Sequence, residues 1–266
     1  MKAVDILIFG GQSNMQGQTE RLSETDEVVG AYEYRYTSNS LVPLKNPVGE
    51  DVTYNLQLGY PFLQGCNAPE WREAHVLGSA CYGHTNLVPA FCRAYLAQTH
   101  GEVIAVHAAK GSTQIHDWLP GTAGFDTLVK KSRAAIEKAK NEYTVGKIYF
   151  VWLQGESDAI FSVSRETYRE RLVQLNDALK KELGINVFGI IRVGRFVNDA
   201  RDDEIIDAQT EICLEHPDFL MLTDKATEFN QSPAHMNPNV GGHYSVFGLE
   251  ELGGLAGETL GKYRTN

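Results

Sequence analysis

A chain of 266 residues, 42% of them hydrophobic, is long enough for one α/β domain with a sizeable core and insertions. Thirty-four acidic residues against 24 basic ones leave a net charge of −10, and no Lys/Arg run stands out, which argues against a nucleic-acid partner. No apolar run approaches the ~20 residues that cross a bilayer, so no membrane partner is expected. Met1-Lys2-Ala3-Val4-Asp5 leads directly into a strand, with no signal-like apolar region, so the expected location is cytoplasmic. The four cysteines, Cys66, Cys81, Cys92 and Cys213, show no CxxC spacing and read as reduced, mostly packed thiols; a Cys66–Cys81 pair stays open.

The first element is a buried strand over Val4–Phe9, rich in β-branched and aromatic residues. It runs into Gly10-Gly11-Gln12-Ser13-Asn14-Met15-Gln16-Gly17, where glycines on both sides permit a sharp turn and a close approach by a ligand. Ser13 sits at the crest, where a helix start would offer free N–H donors to developing negative charge. The same composition also suits a loop that cradles phosphate or merely turns the chain. A long irregular insertion follows, from about 19 to 84, carrying Tyr32, Tyr34, Tyr36, Tyr54 and Tyr60. Within it the alternation of Ala31-Tyr32-Glu33-Tyr34-Arg35-Tyr36 predicts a short exposed strand with one aromatic face.

Helical spacing of apolar residues predicts a helix over Asn86–Gln98, with Pro89 in its first turn. Val103–Ala108 is a second buried strand, followed by Gly111, and Asp126–Glu142 a helix. Ile148–Leu153 is a third strand, running into Gln154-Gly155-Glu156-Ser157-Asp158. A helix over Ser164–Leu183 ends at Gly184, and Val187–Val193 is a fourth strand. A helix at Ile205–Leu214, a fifth strand at Phe219–Leu222 and a last helix at Val246–Leu260 complete the chain. This alternation predicts a three-layer α/β/α sandwich around a mostly parallel five-stranded sheet, as one domain over 1–266. Ser13, Gly111 and Gln154 then fall beyond the carboxyl ends of three strands, where such sheets bind ligands.

A serine hydroxyl needs a neighbouring base to become a nucleophile. His243, in the loop Asn237-Pro238-Asn239-Val240-Gly241-Gly242-His243-Tyr244-Ser245 before the last helix, is the best-placed of eight histidines. His107 reads as a core residue of its strand, and His116 and His235 as possible neighbours of a site. His75, His84, His100 and His216 have no accompanying motif. There is no HExxH, HxH or zinc-type Cys/His spacing, so neither a metal nor a cofactor is expected.

Four blocks together carry a resemblance. Gly11-Gln12-Ser13-Asn14-Met15-Gln16-Gly17 resembles the first block of SGNH hydrolases of the GQSNM type, the branch of sialate O-acetylesterases and carbohydrate esterase family six acetylxylan esterases. Ala109 to Trp118 is similar to that branch's second block, Trp152 to Asp158 to its WxQGE(S/T)D block, and His243-Tyr244-Ser245 to its terminal histidine block. The resemblance implies a flavodoxin-like fold, Ser13 as nucleophile and His243 as general base. It also implies an oxyanion site made by the backbone N–H groups of Ser13 and of Gly111 or Ser112, with the Gln154 amide.

The family's aspartate three residues before the histidine is absent: Val240 stands there, and Asn239 is the nearest polar residue. Glu156 is the candidate for the missing acid, with Asp224 a weaker alternative and a Ser–His dyad with backbone support a third. Glu156 equally suits a loop-holding or helix-capping role. Gln12, Asn14 and Trp118 are the expected substrate contacts, although Trp118 equally suits packing. The implied activity is removal of O-acetyl groups from a carbohydrate, an acylated sugar or oligosaccharide being the partner. A carbohydrate-binding relative without full activity and a short-chain esterase of other substrates are the alternatives.

Overall fold

The computed structural model describes residues 2–19, 25–36, 38–49 and 85–266. Cys66, Cys81, His75, His84, Tyr54 and Tyr60 therefore lie outside the described residues. The first strand, β1 (Ala3–Gly11), is buried from Val4 onward because it lies in the middle of the sheet. Its neighbours are β4 (Val103–Ala109) and β5 (Thr144–Leu153), both parallel to it, with Gly11 level with Ala109 and Leu153. Beyond β5 come β6 (Val187–Ile191) and β7 (Phe219–Thr223), again parallel.

Among the described residues the sheet has seven strands rather than the five expected, in the order β3 (Ser40–Pro43), β2 (Ala31–Arg35), β4, β1, β5, β6, β7. The two additional strands are β2 (Ala31–Arg35) and β3 (Ser40–Pro43), an antiparallel pair drawn from the insertion. The predicted strand at 31–36 is thus present but not exposed. Parallel pairing of Ala31–Glu33 with Val103–Ala105 takes it into the sheet and buries Ala31, Glu33 and Tyr34. Buried Glu33 is not left unpaired: its Oε1 accepts from Gly49 N–H at 2.7 Å.

Helices cover both faces. α1 (Ser13–Gln16) is a single turn directly after β1. α2 (Val88–Thr99) packs against the last helix, α8 (Val246–Thr265), through glycines spaced four apart. A Cβ at Gly253 would lie 2.5 Å from the Leu87 carbonyl oxygen, and one at Gly257 only 2.1 Å from that of Phe91. The long helices α3 (Ala123–Glu142), α5 (Arg165–Leu183) and α6 (Ala200–Glu215) pack in sequence as the other layer. Side-chain caps start these helices: Thr122 on α3, Ser164 on α5, Asp199 on α6 and Ser245 on α8. Two short turns, α4 (Glu156–Ile160) and α7 (Ala226–Phe229), follow β5 and β7. Among the described residues, no helix is long and apolar enough to cross a membrane.

Candidate active site

The site lies where β1, β4 and β5 end together. Gly11 closes β1 with φ of 143°, and a Cβ there would lie 2.0 Å from the Leu153 carbonyl oxygen. Only glycine lets β1 turn this tightly beside β5. Gln12 N–H then bonds Leu153 O at 3.1 Å, and Met15 and Gln16 donate back to Gln12 O to form the turn α1. Gly17, with φ of 98°, ends it in the left-handed region. The N–H groups of Ser13 and Asn14 are left without an acceptor among the described residues. His107 lies beneath, in β4, with Nε2 3.0 Å from Met15 O. Burial pushes its imidazole down to about 4, so the ring is neutral and supports the turn as a core donor.

Ser13 Oγ is 2.8 Å from His243 Nε2. The other ring nitrogen, Nδ1, is 2.9 Å from Gly241 O. A carbonyl oxygen can only accept, so Nδ1 carries the proton and Nε2 presents its lone pair to the serine hydroxyl. Burial holds the imidazole below its ordinary value, an effect partly opposed by the Gly241 carbonyl. The ring is packed edge-on by Phe196, with ring centroids 5.8 Å apart. A neutral histidine in the right tautomer therefore meets the one hydroxyl at the crest of the turn.

The Nδ1 position corrects the expectation of a carboxylate partner. Gly241 O occupies it, because the loop that lacks an aspartate at Val240 turns its own backbone back onto the ring. Glu156 bonds Asn14 Nδ2 through Oε1 at 2.8 Å, and its Oε2 is buried without a partner. Burial raises this carboxyl above its usual range, against the hydrogen bond from Asn14. The side chain of Asp224 is exposed, and its backbone carbonyl accepts from Arg192. Asn239 is likewise exposed and gives its N–H to Asn237 Oδ1. The arrangement is Ser13 Oγ on His243 Nε2 and Gly241 O on His243 Nδ1.

The expected oxyanion donors differ in availability. Gly111 lies alongside Ser13, since a Cβ on it would be 3.4 Å from Ser13 Cβ, but its N–H is donated to Gln16 Oε1 at 2.6 Å. Gln154 is fully buried, and its amide is spent inward. Nε2 reaches Asp158 Oδ2 at 2.5 Å, Thr113 O at 2.9 Å and Gln12 Oε1 at 3.2 Å, while Oε1 accepts from Tyr168 Oη at 3.0 Å. Two amide hydrogens facing three protein acceptors leave no spare donor, so Gln154 braces the site from below.

The three expected substrate contacts are framework instead. Gln12 Oε1 accepts from Ser157 N at 3.1 Å and ties the ends of β1 and β5 together. Asn14 is buried between Glu156 and the histidine loop. Trp118 has no exposed surface; its Nε1 donates to Thr113 Oγ1 and its ring packs edge-on against Trp152. Each was expected at the cleft from its motif, but a polar side chain in a tight motif can serve the loops as readily as a ligand.

His116 pairs with Asp117, while His235 lies between Ser232 and Glu251; neither bonds Ser13 or His243 among the described residues. Sequence reasoning missed Gln16, Asp158, Phe196 and Gly241. Gln16 was within reach of it, three residues after Ser13 and hence on the same helical face. Gly241 was not, because a backbone carbonyl has no residue type.

A family profile described as "Carbohydrate esterase, sialic acid-specific acetylesterase" matches residues 3–241, ending two residues before His243. Comparison with curated proteins finds no match. Among solved structures, a protein from Arabidopsis thaliana is similar with a TM-score of 0.68 at 16% identity, covering 96% of this chain and 97% of its own. A lipase/acylhydrolase from Enterococcus faecalis is similar at 0.52 and 17% identity, covering 99% and 97%. A carbohydrate acetylesterase from Xanthomonas citri is similar at 0.54 and 13% identity, covering 98% of this chain and 57% of its own. At these identities the structures speak for the fold, while the profile, which takes in three of the four motif blocks, speaks for the family. The chain belongs to the carbohydrate esterase family of sialic acid-specific acetylesterases, within the SGNH hydrolase class of carboxylic ester hydrolases.

Proposed function

We propose that this protein is a serine esterase that removes O-acetyl groups from a carbohydrate through an acetyl-enzyme on Ser13. The observation that carries this reading is the 2.8 Å contact of Ser13 Oγ with a His243 Nε2 whose tautomer is set by Gly241 O. Ser13 Oγ attacks the acetyl carbonyl carbon as His243 Nε2 takes its proton. The tetrahedral oxyanion is met by Ser13 N–H, and by Gly111 N–H once Gln16 Oε1 gives way. Collapse breaks the bond to the sugar oxygen, which leaves with the proton from His243. Water then attacks the acetyl-enzyme, again deprotonated by His243, and acetate departs from Ser13. No carboxylate is used. The Gly241 carbonyl supplies the orientation that a triad acid provides elsewhere, though not its full charge.

The substrate is taken to be an acetylated mono- or oligosaccharide, in keeping with the family's description. Acetate release from acetylated sialic acids and xylo-oligosaccharides, alongside 4-nitrophenyl acetate, tests the reading. Ser13→Ala is expected to lose roughly 10⁶-fold in turnover, the scale seen when a serine nucleophile is removed. Turnover that survives this substitution overturns the serine mechanism. If the wild type releases 4-nitrophenol but no acetate from any sugar, the carbohydrate assignment fails and a short-chain esterase replaces it.

A further inference from the structure

With a backbone carbonyl at His243 Nδ1, where a triad would have a carboxylate, something else must hold the imidazole in place. Its ring is packed by Phe196 on one side, and its Nδ1 acceptor belongs to its own loop. A loop that orients its own histidine needs an anchor outside itself. Asn14, the residue after the nucleophile, is that anchor. Its Oδ1 accepts from Tyr244 N–H at 3.2 Å and its Nδ2 reaches Gly242 O at 3.4 Å, so it grips the backbone on both sides of His243. The same Nδ2 donates to Glu156 Oε1 at 2.8 Å. That bond fixes which way the Asn14 amide faces, since Glu156 Oε1 requires the nitrogen there and leaves the oxygen for Tyr244.

We propose that Asn14 and Glu156 form a positioning clamp for His243, with Glu156 orienting the Asn14 amide and Asn14 fixing the histidine loop against the nucleophile turn. Neither is a catalytic residue, as neither touches the reacting atoms. The clamp rests on the dyad reading above but adds to it a reason for two motif residues that the dyad leaves unused. In it Glu156 serves as an acceptor. One oxygen accepts from Asn14 and the other is buried without a hydrogen-bond partner, and this burial, with the nearby Asp158 carboxyl, raises the Glu156 carboxyl above its ordinary value. An acceptor of the same shape, a glutamine amide oxygen, performs that task equally well.

The test compares Asn14→Ala, Glu156→Ala and Glu156→Gln in the full chain, with kcat and KM for 4-nitrophenyl acetate and the proton NMR resonance of His243 Nδ1–H. Asn14→Ala and Glu156→Ala are expected to lower kcat roughly 10- to 100-fold with KM unchanged, the scale of a displaced catalytic group. Glu156→Gln is expected to restore most of the activity lost in Glu156→Ala. The Nδ1–H resonance is expected downfield in the wild type and in Glu156→Gln, and lost by exchange in Asn14→Ala. An Asn14→Ala protein that keeps both kcat and the resonance overturns the clamp, whether or not the wild type proves to be an esterase. A ~10⁴-fold loss in Glu156→Gln also overturns it, by making Glu156 an obligatory carboxylate. Should Glu156→Ala fail to fold, the other two variants decide. Loss of all activity in Ser13→Ala with an intact Asn14→Ala enzyme would remove the clamp and leave the esterase standing.

Discussion

A neutral carbonyl behind the histidine has a measurable consequence at the scale of single residues. A carboxylate at Nδ1 would stabilise the imidazolium and raise the histidine's pKa. Gly241 O does so weakly, and burial of His243 outweighs it, holding the ring below its ordinary 6.5. In the proposed mechanism the base works only when Nε2 has a lone pair, so protonation at low pH is expected to abolish activity and deprotonation to restore it. The expected profile of kcat/KM rises through an apparent pKa below 6.5 and is flat at neutral pH. A midpoint above 7 would contradict a dyad without a carboxylate. Ser13 and His243 were legible as a pair to be brought together because both carry their chemistry in the residue type. The Gly241 partner was hidden for the opposite reason, and the absent aspartate at Val240 pointed only to a gap.

At the scale of elements, the glycines of α8 hold that helix close to α2. Gly257→Ala places a methyl 2.1 Å from Phe91 O, a backbone atom that cannot turn aside. Overpacking of this kind costs about 1–3 kcal/mol, a decrease in stability that denaturant unfolding would detect. An unchanged midpoint would mean that α8 slides freely on α2. Five strands were legible as short apolar runs, since a buried parallel strand is apolar on both faces. The β2–β3 pair was only half legible: its first strand alternates visibly, but Ser40–Pro43 is too short to show a period. Burial of β2 follows from its pairing with β4, a long-range contact that local pattern does not reveal. The first residues of β5 were not legible because Thr144–Lys147 form no apolar run and are mostly exposed, with Thr144 and Val145 held in the ladder by β1.

At the scale of the whole molecule, the parallel sheet brings the ends of β1, β4 and β5 level, so residues 230 positions apart meet. Ser13 comes from the first strand end and His243 from the loop before the last helix. Gln154, Gln12 and Asp158 hold the floor between them through buried hydrogen bonds rather than through donors offered to a ligand. That division separates Ser13 and His243, which face each other, from the motif residues that keep the strand ends in register. The joint action of Ser13 and His243 is most directly measured by labelling with a fluorophosphonate, followed by peptide mapping and by labelling rates in His243→Ala. One adduct is expected, on the peptide that contains Ser13, formed at least ~100-fold more slowly without the His243 imidazole. No adduct in the wild type, or equal rates with and without His243, would contradict an activated serine at the crest of this turn.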